Sequence, residues 1–266
     1  MRLIALGTLI AVVLVLAAAT GLYGLQRHLL FPASKPLAVP DSPHHLVRAV
    51  AIPVNGKVLR GHVAIPTAEH GPRHGLLYFN GRRENPRSIF RALSALKDHH
   101  VLCFSYDRLG WSWGKPGERE LMADGLAVLD WWVKDSGIAI EHIAVAGRSL
   151  GSGFAVQAAA ARPVRGLALI SPFDQLLTAV HSSMPWVQRW WLRDKFNSRD
   201  HIGQVRCACL LVVADEDATI PVEVSRTLFK AWDGHLTEFV VRNCGHCGVL
   251  KRPDVHQALA DFLRGP

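Results

Sequence analysis

No internal repeat and no low-complexity tract interrupts the 266 residues, which removes solenoids, propellers and disordered scaffolds from consideration. No nucleic-acid-binding motif is present either, and no nucleic-acid partner is expected. Acidic residues are the scarcer charge, 22 Asp and Glu against 30 Lys and Arg, for a formal net charge of +8. Such a balance suits an anionic membrane surface, an acidic substrate or a polyanion. The basic residues are scattered, however, and read as a solvated surface. Cysteine is sparse, with five in the chain. Cys103 sits in an apolar run and reads as a small buried hydrophobe. The others fall as Cys207-Ala-Cys209 and Cys244-Gly-His-Cys247. A C-x-C pair is not the usual structural zinc spacing, so packing is expected, and the alternative is a disulfide between the pairs in an oxidising compartment. No metal and no cofactor is expected. No cysteine lies near residue 20, which excludes a bacterial lipoprotein.

Charge is also missing from residues 3–25, an apolar run of 23 broken only by Gly, Thr and Tyr. That length crosses a bilayer core as a helix. Arg2 precedes it and Gln26-Arg27-His28 closes it. A cleaved signal peptide is the alternative, with Ala17-Ala18-Ala19 as the cleavage site. The apolar character continues through Gly21-Leu22-Tyr23-Gly24-Leu25, which favours an uncleaved single-pass anchor. Positive charge flanks both ends, so orientation stays open. The expected organisation is an anchor over 1–26, a Pro- and Ser-rich linker over 27–45, and one large domain over 46–266, for which a hydrophobic content of 49% is ample.

Within that domain, residues 46–54 and 58–66 read as strands joined by Asn55-Gly56, a two-residue hairpin turn. Further strands are expected at 75–79, 101–106, 142–146, 166–170, 209–214 and 238–241. Helices are expected from Asn85-Pro86 to Leu96, and over 118–134, 222–232 and 254–263. A hairpin followed by alternating strands and helices implies an α/β fold with a mostly parallel sheet covered on both faces. Active sites of such sheets lie at the carboxyl ends of the strands.

One strand runs there into Gly147-Arg148-Ser149-Leu150-Gly151 and then an Ala-rich helical run. Strand, G-x-S-x-G and helix together describe a nucleophile elbow, with Ser149 pushed out at the apex of a tight turn. A serine hydroxyl must lose its proton to a base as it attacks. His246 follows the last strand on a Gly-bearing loop and suits that role, whereas His235 lies at the far end of the same strand. An acid that orients the imidazole should follow the strand before it, where Asp215 and Asp217 are equivalent by spacing and Glu216 is weaker. Oxyanion donors should be the N–H of Leu150 and one from Asn80-Gly81-Arg82-Arg83, with Arg82 chosen.

Residues 27–264 resemble the α/β-hydrolase superfamily, and within it the membrane-anchored serine hydrolases related to the monoacylglycerol-lipase and serine-aminopeptidase-like group. The stretches that carry the resemblance are Asn80-Gly81, Tyr106-Asp107-Arg108-Leu109-Gly110, Gly147-Arg148-Ser149-Leu150-Gly151 and Ser171-Pro172-Phe173, followed by the acid loop from Ala214 to Pro221 and Gly245-His246. The resemblance implies an α/β-hydrolase fold and hydrolysis of carboxylic esters or thioesters of lipid or acyl type. It places the catalytic aspartate on Asp217, completing a set with Ser149 and His246. A silent binding protein of the same fold and a serine peptidase are the alternatives. Two departures stand out. Asn80 replaces the family's usual histidine, and its amide can brace the loop instead. Arg82 and Arg83 replace small or amide residues, and solvated side chains are expected there, with selection of an anionic substrate group as the alternative. Residues 174–206 hold no large cap. They contain Trp186, Trp190 and Trp191; the spacing of the first two suits one helix face, expected to pack on the body, with an acyl pocket or the membrane interface as the alternatives. Trp111 and Trp113 are further candidates for the site edge.

Overall fold

The computed structural model describes residues 2–31, 42, 44–68, 73–82, 84, 90, 96–105, 117–230 and 232–265. The stretch from Tyr106 to Gly110, Trp111, Trp113, Arg83, most of the expected linker and nearly all of the helix expected after Asn85 lie outside them. Chain order begins with helix α1 (Arg2–Leu30), strands β1 (His45–Val54), β2 (Lys57–Pro66), β3 (His74–Phe79) and β4 (His99–Phe104), and helix α2 (Glu118–Ser136). It continues with β5 (Ile143–Arg148), α3 (Leu150–Ala161), β6 (Gly166–Ile170), α4 (Leu176–His181) and α5 (Arg199–Ile202). The last elements are β7 (Ala208–Ala214), α6 (Val222–Thr227), β8 (Leu236–Val241) and α7 (Pro253–Arg264).

All eight strands form one sheet in the order β1-β2-β4-β3-β5-β6-β7-β8. The β1–β2 hairpin is antiparallel and closes through Asn55 and Gly56, with φ of 48° and 74°. Positive φ at both central residues is what a tight hairpin turn of matching twist requires. Strand β2 meets β4 antiparallel, and every later pairing is parallel. Every residue of β4, β5 and β6 is buried, as parallel strands covered on both faces must be. Alternation along β3 divides the core into two layers. Leu77 and Phe79 face Trp132 of α2 and Phe154 of α3, while Leu76 and Tyr78 belong to the layer that includes Leu259 and Leu263 of α7. The architecture is the one the resemblance implies.

Three differences from the sequence reading have physical causes. Helix α6 ends at Thr227 rather than reaching residue 232, because Leu228, Phe229 and Trp232 donate to carbonyls three residues back and tighten the chain out of α geometry. Trp186 and Trp190 share no helix: Trp186 lies in a turn, and only a single 3-10 turn covers Arg189–Trp191. Neither is packed on the body, since they are 62% and 80% exposed. Helix α1 runs four residues into the expected linker because its end is docked. Gln26 bonds Trp191 O and Arg193 N, Arg27 pairs with Asp194 at 2.9 and 3.0 Å, and Phe31 is buried beside Phe196.

Among the described residues no helix is long and apolar enough to cross a membrane. The side chains of residues 2–5, 11, 12, 15 and 16 on α1 lie outside that description. All five cysteines are free, so the alternative of a disulfide between the Cys207/Cys209 and Cys244/Cys247 pairs is not what the structure shows.

Candidate active site

The elbow is built by two glycines and one strained residue. A Cβ on Gly147 would strike the backbone of Gly151, and one on Gly151 would land on the carbonyl oxygen of Phe79. Strand β5, helix α3 and the end of β3 therefore cross at backbone contact, which only glycine permits. Between them Ser149 adopts φ 50° and ψ −120°, a conformation L-residues avoid unless the surroundings impose it. Those surroundings are hydrogen bonds. Ser149 N–H donates to Ile170 O at 2.9 Å, and the Ser152 hydroxyl donates to Ser149 O at 2.6 Å. Ser149 is half-buried, and Leu150 behind it opens α3 with an N–H that has no intrahelical acceptor.

Two loops at the same edge carry the other predicted residues. Asp217 follows β7, and its carboxylate is fixed at both oxygens. Oδ1 accepts the N–H groups of Thr219 at 2.9 Å and Ile220 at 2.8 Å, while Oδ2 accepts Nδ1–H of His246 at 2.7 Å. Burial would push the Asp217 carboxyl up, but the His246 hydrogen bond, the Ile220 N–H and the neighbouring Ser171 outweigh it and hold it below its ordinary value. The structure thus brings Asp217 to His246. Asp215 is exposed and turned elsewhere, toward Cys244 N–H at 3.3 Å and Arg242 at 3.9 Å. Glu216 N–H donates to Cys244 O at 3.1 Å, lacing the acid loop to the histidine loop. His235 precedes β8, at the opposite end of the sheet from His246.

The loop after β3 is braced from within. The Asn80 amide donates to Phe104 O at 3.0 Å, holding the turn where a histidine is usual. Gly81 N–H is taken by Glu84 Oε2 at 2.7 Å, which ties the turn to the buried end of that side chain. The Arg82 side chain is not simply solvated as expected, because Nη1 donates to Leu29 O at 2.6 Å at the carbonyl end of α1.

Sequence reasoning passed over two residues here. Glu84 is buried and receives the Tyr78 hydroxyl at 3.2 Å as well as Gly81 N–H. Arg148, also buried, reaches Glu84 Oε1 at 3.3 Å and His246 O at 2.7 Å. Burial pushes the Glu84 carboxyl up, against the opposing pull of Arg148 and the Gly81 N–H. The available signal was a lone acid in a basic loop and a long cation inside an otherwise small-residue elbow. No cluster among the described residues could hold a metal ion.

No family model matches the chain. The uncharacterized protein Rv2307c of Mycobacterium tuberculosis (strain ATCC 25618 / H37Rv) is 30% identical over 231 residues, covering 85% of this chain and 82% of its own. Lysophosphatidylserine lipase ABHD12 of Danio rerio is 26% identical over 226 residues, 72% of this chain and 58% of that protein. Among solved structures, the esterase PF2001 of Pyrococcus furiosus superposes with a TM-score of 0.67 at 15% identity, covering 88% of this chain and 97% of that one. At that identity the likeness to the solved esterase speaks for the fold alone. Sheet order, elbow and relatives agree: the chain belongs to the α/β-hydrolase superfamily.

Proposed function

We propose that this protein is a serine hydrolase that cleaves carboxylic esters or thioesters of lipid or acyl type through an acyl-enzyme. The observation that carries the reading is the 2.7 Å bond between Asp217 Oδ2 and His246 Nδ1, beside a serine held at φ 50°. Ser149 Oγ attacks the substrate carbonyl carbon while His246 Nε2 takes its proton, and Asp217 stabilises the resulting imidazolium. The negative charge on the former carbonyl oxygen is met by Leu150 N–H and Arg82 N–H. His246 then protonates the leaving alcohol or thiol. Water, deprotonated by the same imidazole, attacks the acyl carbon and releases the acid and free Ser149.

The apolar run of α1 acts as a membrane anchor in this proposal. Met184, Trp186 and Trp190 are exposed close to the segment on which the end of α1 docks, where indole rings would meet the lipid interface. A lipid-like substrate then lies in the same two-dimensional phase as the enzyme. The test uses the full chain in detergent, a fluorophosphonate probe and p-nitrophenyl esters of increasing acyl length. Labelling and turnover of the wild type, both lost in Ser149→Ala, are expected. A wild type that neither labels nor turns over would leave a hydrolase-fold binding protein as the better reading.

A further inference from the structure

We infer that Arg148 is a positioning residue, a guanidinium strut that holds the loop after β3 and the histidine loop in register with Ser149. The inference rests on the hydrolase reading for its consequence, and on geometry alone for the strut. Arg148 is the last residue of β5 and the immediate neighbour of Ser149. Its Nη2 donates to the backbone carbonyl of His246 at 2.7 Å, and its Nη1 reaches Glu84 Oε1 at 3.3 Å. Glu84 in turn holds Gly81 N–H at 2.7 Å, the amide just before the proposed oxyanion donor. One side chain therefore spans three segments that sequence separates by 64 and 98 positions.

The residue type suits the task. Guanidinium presents its N–H groups in a rigid planar fork, so two acceptors bound to it are fixed relative to each other. The Nε of Arg148 is buried and makes no hydrogen bond among the described residues, so the two terminal nitrogens carry the attachment. The shorter bond goes to the His246 carbonyl rather than to the carboxylate. Holding that carbonyl sets the direction in which the imidazole leaves the backbone, while Asp217 holds the ring from its other end. Side-chain exposures of 10% for Arg148 and 4% for Glu84 place the pair out of bulk water. A buried ion pair adds little net stability over apolar packing, so geometry is the better account of its presence.

The experiment uses the full chain in detergent with Arg148→Met, Arg148→Lys and the double variant Arg148→Met with Glu84→Gln. Hydrogen exchange in peptides over 79–84 and 243–248 should accelerate in Arg148→Met and stay unchanged over 208–214. For a p-nitrophenyl ester, kcat should fall by about 100-fold with KM little changed, the size of effect that a small misplacement of a reacting group produces. The double variant removes the unpaired Glu84 charge, so its melting temperature should recover while kcat stays low. Arg148→Lys keeps the charge without the fork and should likewise keep stability better than rate. Recovery of kcat together with melting temperature in the double variant would reduce Arg148 to a structural ion pair, as would unchanged exchange over 243–248. If the wild type hydrolyses nothing and takes no probe, the hydrolase reading fails, and the exchange data still decide the strut.

Discussion

Two aspartates two positions apart have different fates because of what each carboxylate faces. Asp217 is buried, with donors on both oxygens. Asp215 is exposed and accepts one long bond from Cys244 N–H at 3.3 Å. In the proposed mechanism Asp217→Asn should lower kcat by about 10⁴-fold, because the amide no longer fixes the imidazole tautomer. Asp215→Asn should change the rate far less, and steady-state kinetics on one ester would rank the two. The opposite ranking would remove Asp217 from the mechanism. Neither aspartate could be preferred from spacing alone, and the resemblance chose Asp217. The contacts of Arg148 with Glu84 and with the His246 carbonyl were not legible, because a hydrogen bond across 64 or 98 positions leaves no local pattern.

At the scale of elements, the amino-terminal ends of β3 and β4 carry a histidine cluster remote from the proposed site. His74 stacks on His99 at 5.6 Å and meets His142 at 5.5 Å, and its Nδ1 accepts Arg165 Nη1 at 2.7 Å. That acceptance requires a neutral His74. His45 bonds the carbonyls of Leu96 and His99 nearby. Burial is the main cause that lowers His99 from 6.5 to about 4, with His74 and Arg165 adding to it and Leu263 O and Asp98 opposing. Between those values the unfolded chain holds a proton that the folded chain does not. The contribution of His99 is therefore full above pH 6.5 and lost as pH falls to about 4, a swing of roughly 3 kcal/mol. Urea unfolding at pH 7 and at pH 4.5 should show this loss, and His99→Gln should make it smaller. An equal loss in both proteins would exclude His99 as a source. The strands themselves were readable from sequence, because alternation and turn residues are local. The shortening of α6 was not, because its tightened end is coupled to packing: Trp232 donates to Val205 O at 3.1 Å.

Across the whole molecule, the end of α1 is part of the domain rather than a free tether. Asp194 is 2% exposed at its side chain and takes both the Arg27 guanidinium and the Glu118 N–H at 2.9 Å. Arg27→Met would leave that carboxylate buried beside a single amide. A loss of about 3 kcal/mol is expected in urea unfolding of the detergent-solubilised chain. A loss below about 0.5 kcal/mol, the range of ordinary surface changes, would mean the pair is solvated. For the proposed anchor, the full-length chain should stay in the membrane pellet after a carbonate wash. A soluble mature chain beginning near Thr20 would instead establish a cleaved signal peptide. Arg82 adds a consequence, since it joins the loop after β3 to Leu29 O. Shortening the chain past Leu30 should therefore slow the proposed reaction as well as release the protein.

The sequence by itself determined the class of fold, the position of the elbow and the two loops in which an acid and a base could lie. These follow from local physics: apolar alternation, the Asn-Gly turn, glycines where backbones cross, and the order of strands along the chain. The motif resemblance had pointed to Asp217, and the tertiary structure puts its carboxylate on His246. Only that structure decided that Arg148 joins Glu84 to the histidine loop, that Arg82 turns to α1, and that Trp186 and Trp190 stay exposed. Each of these depends on which loops the sheet order places side by side. With β4 lying outside β3, strand β5 pairs directly with β3, and the loop after β3 comes against the elbow.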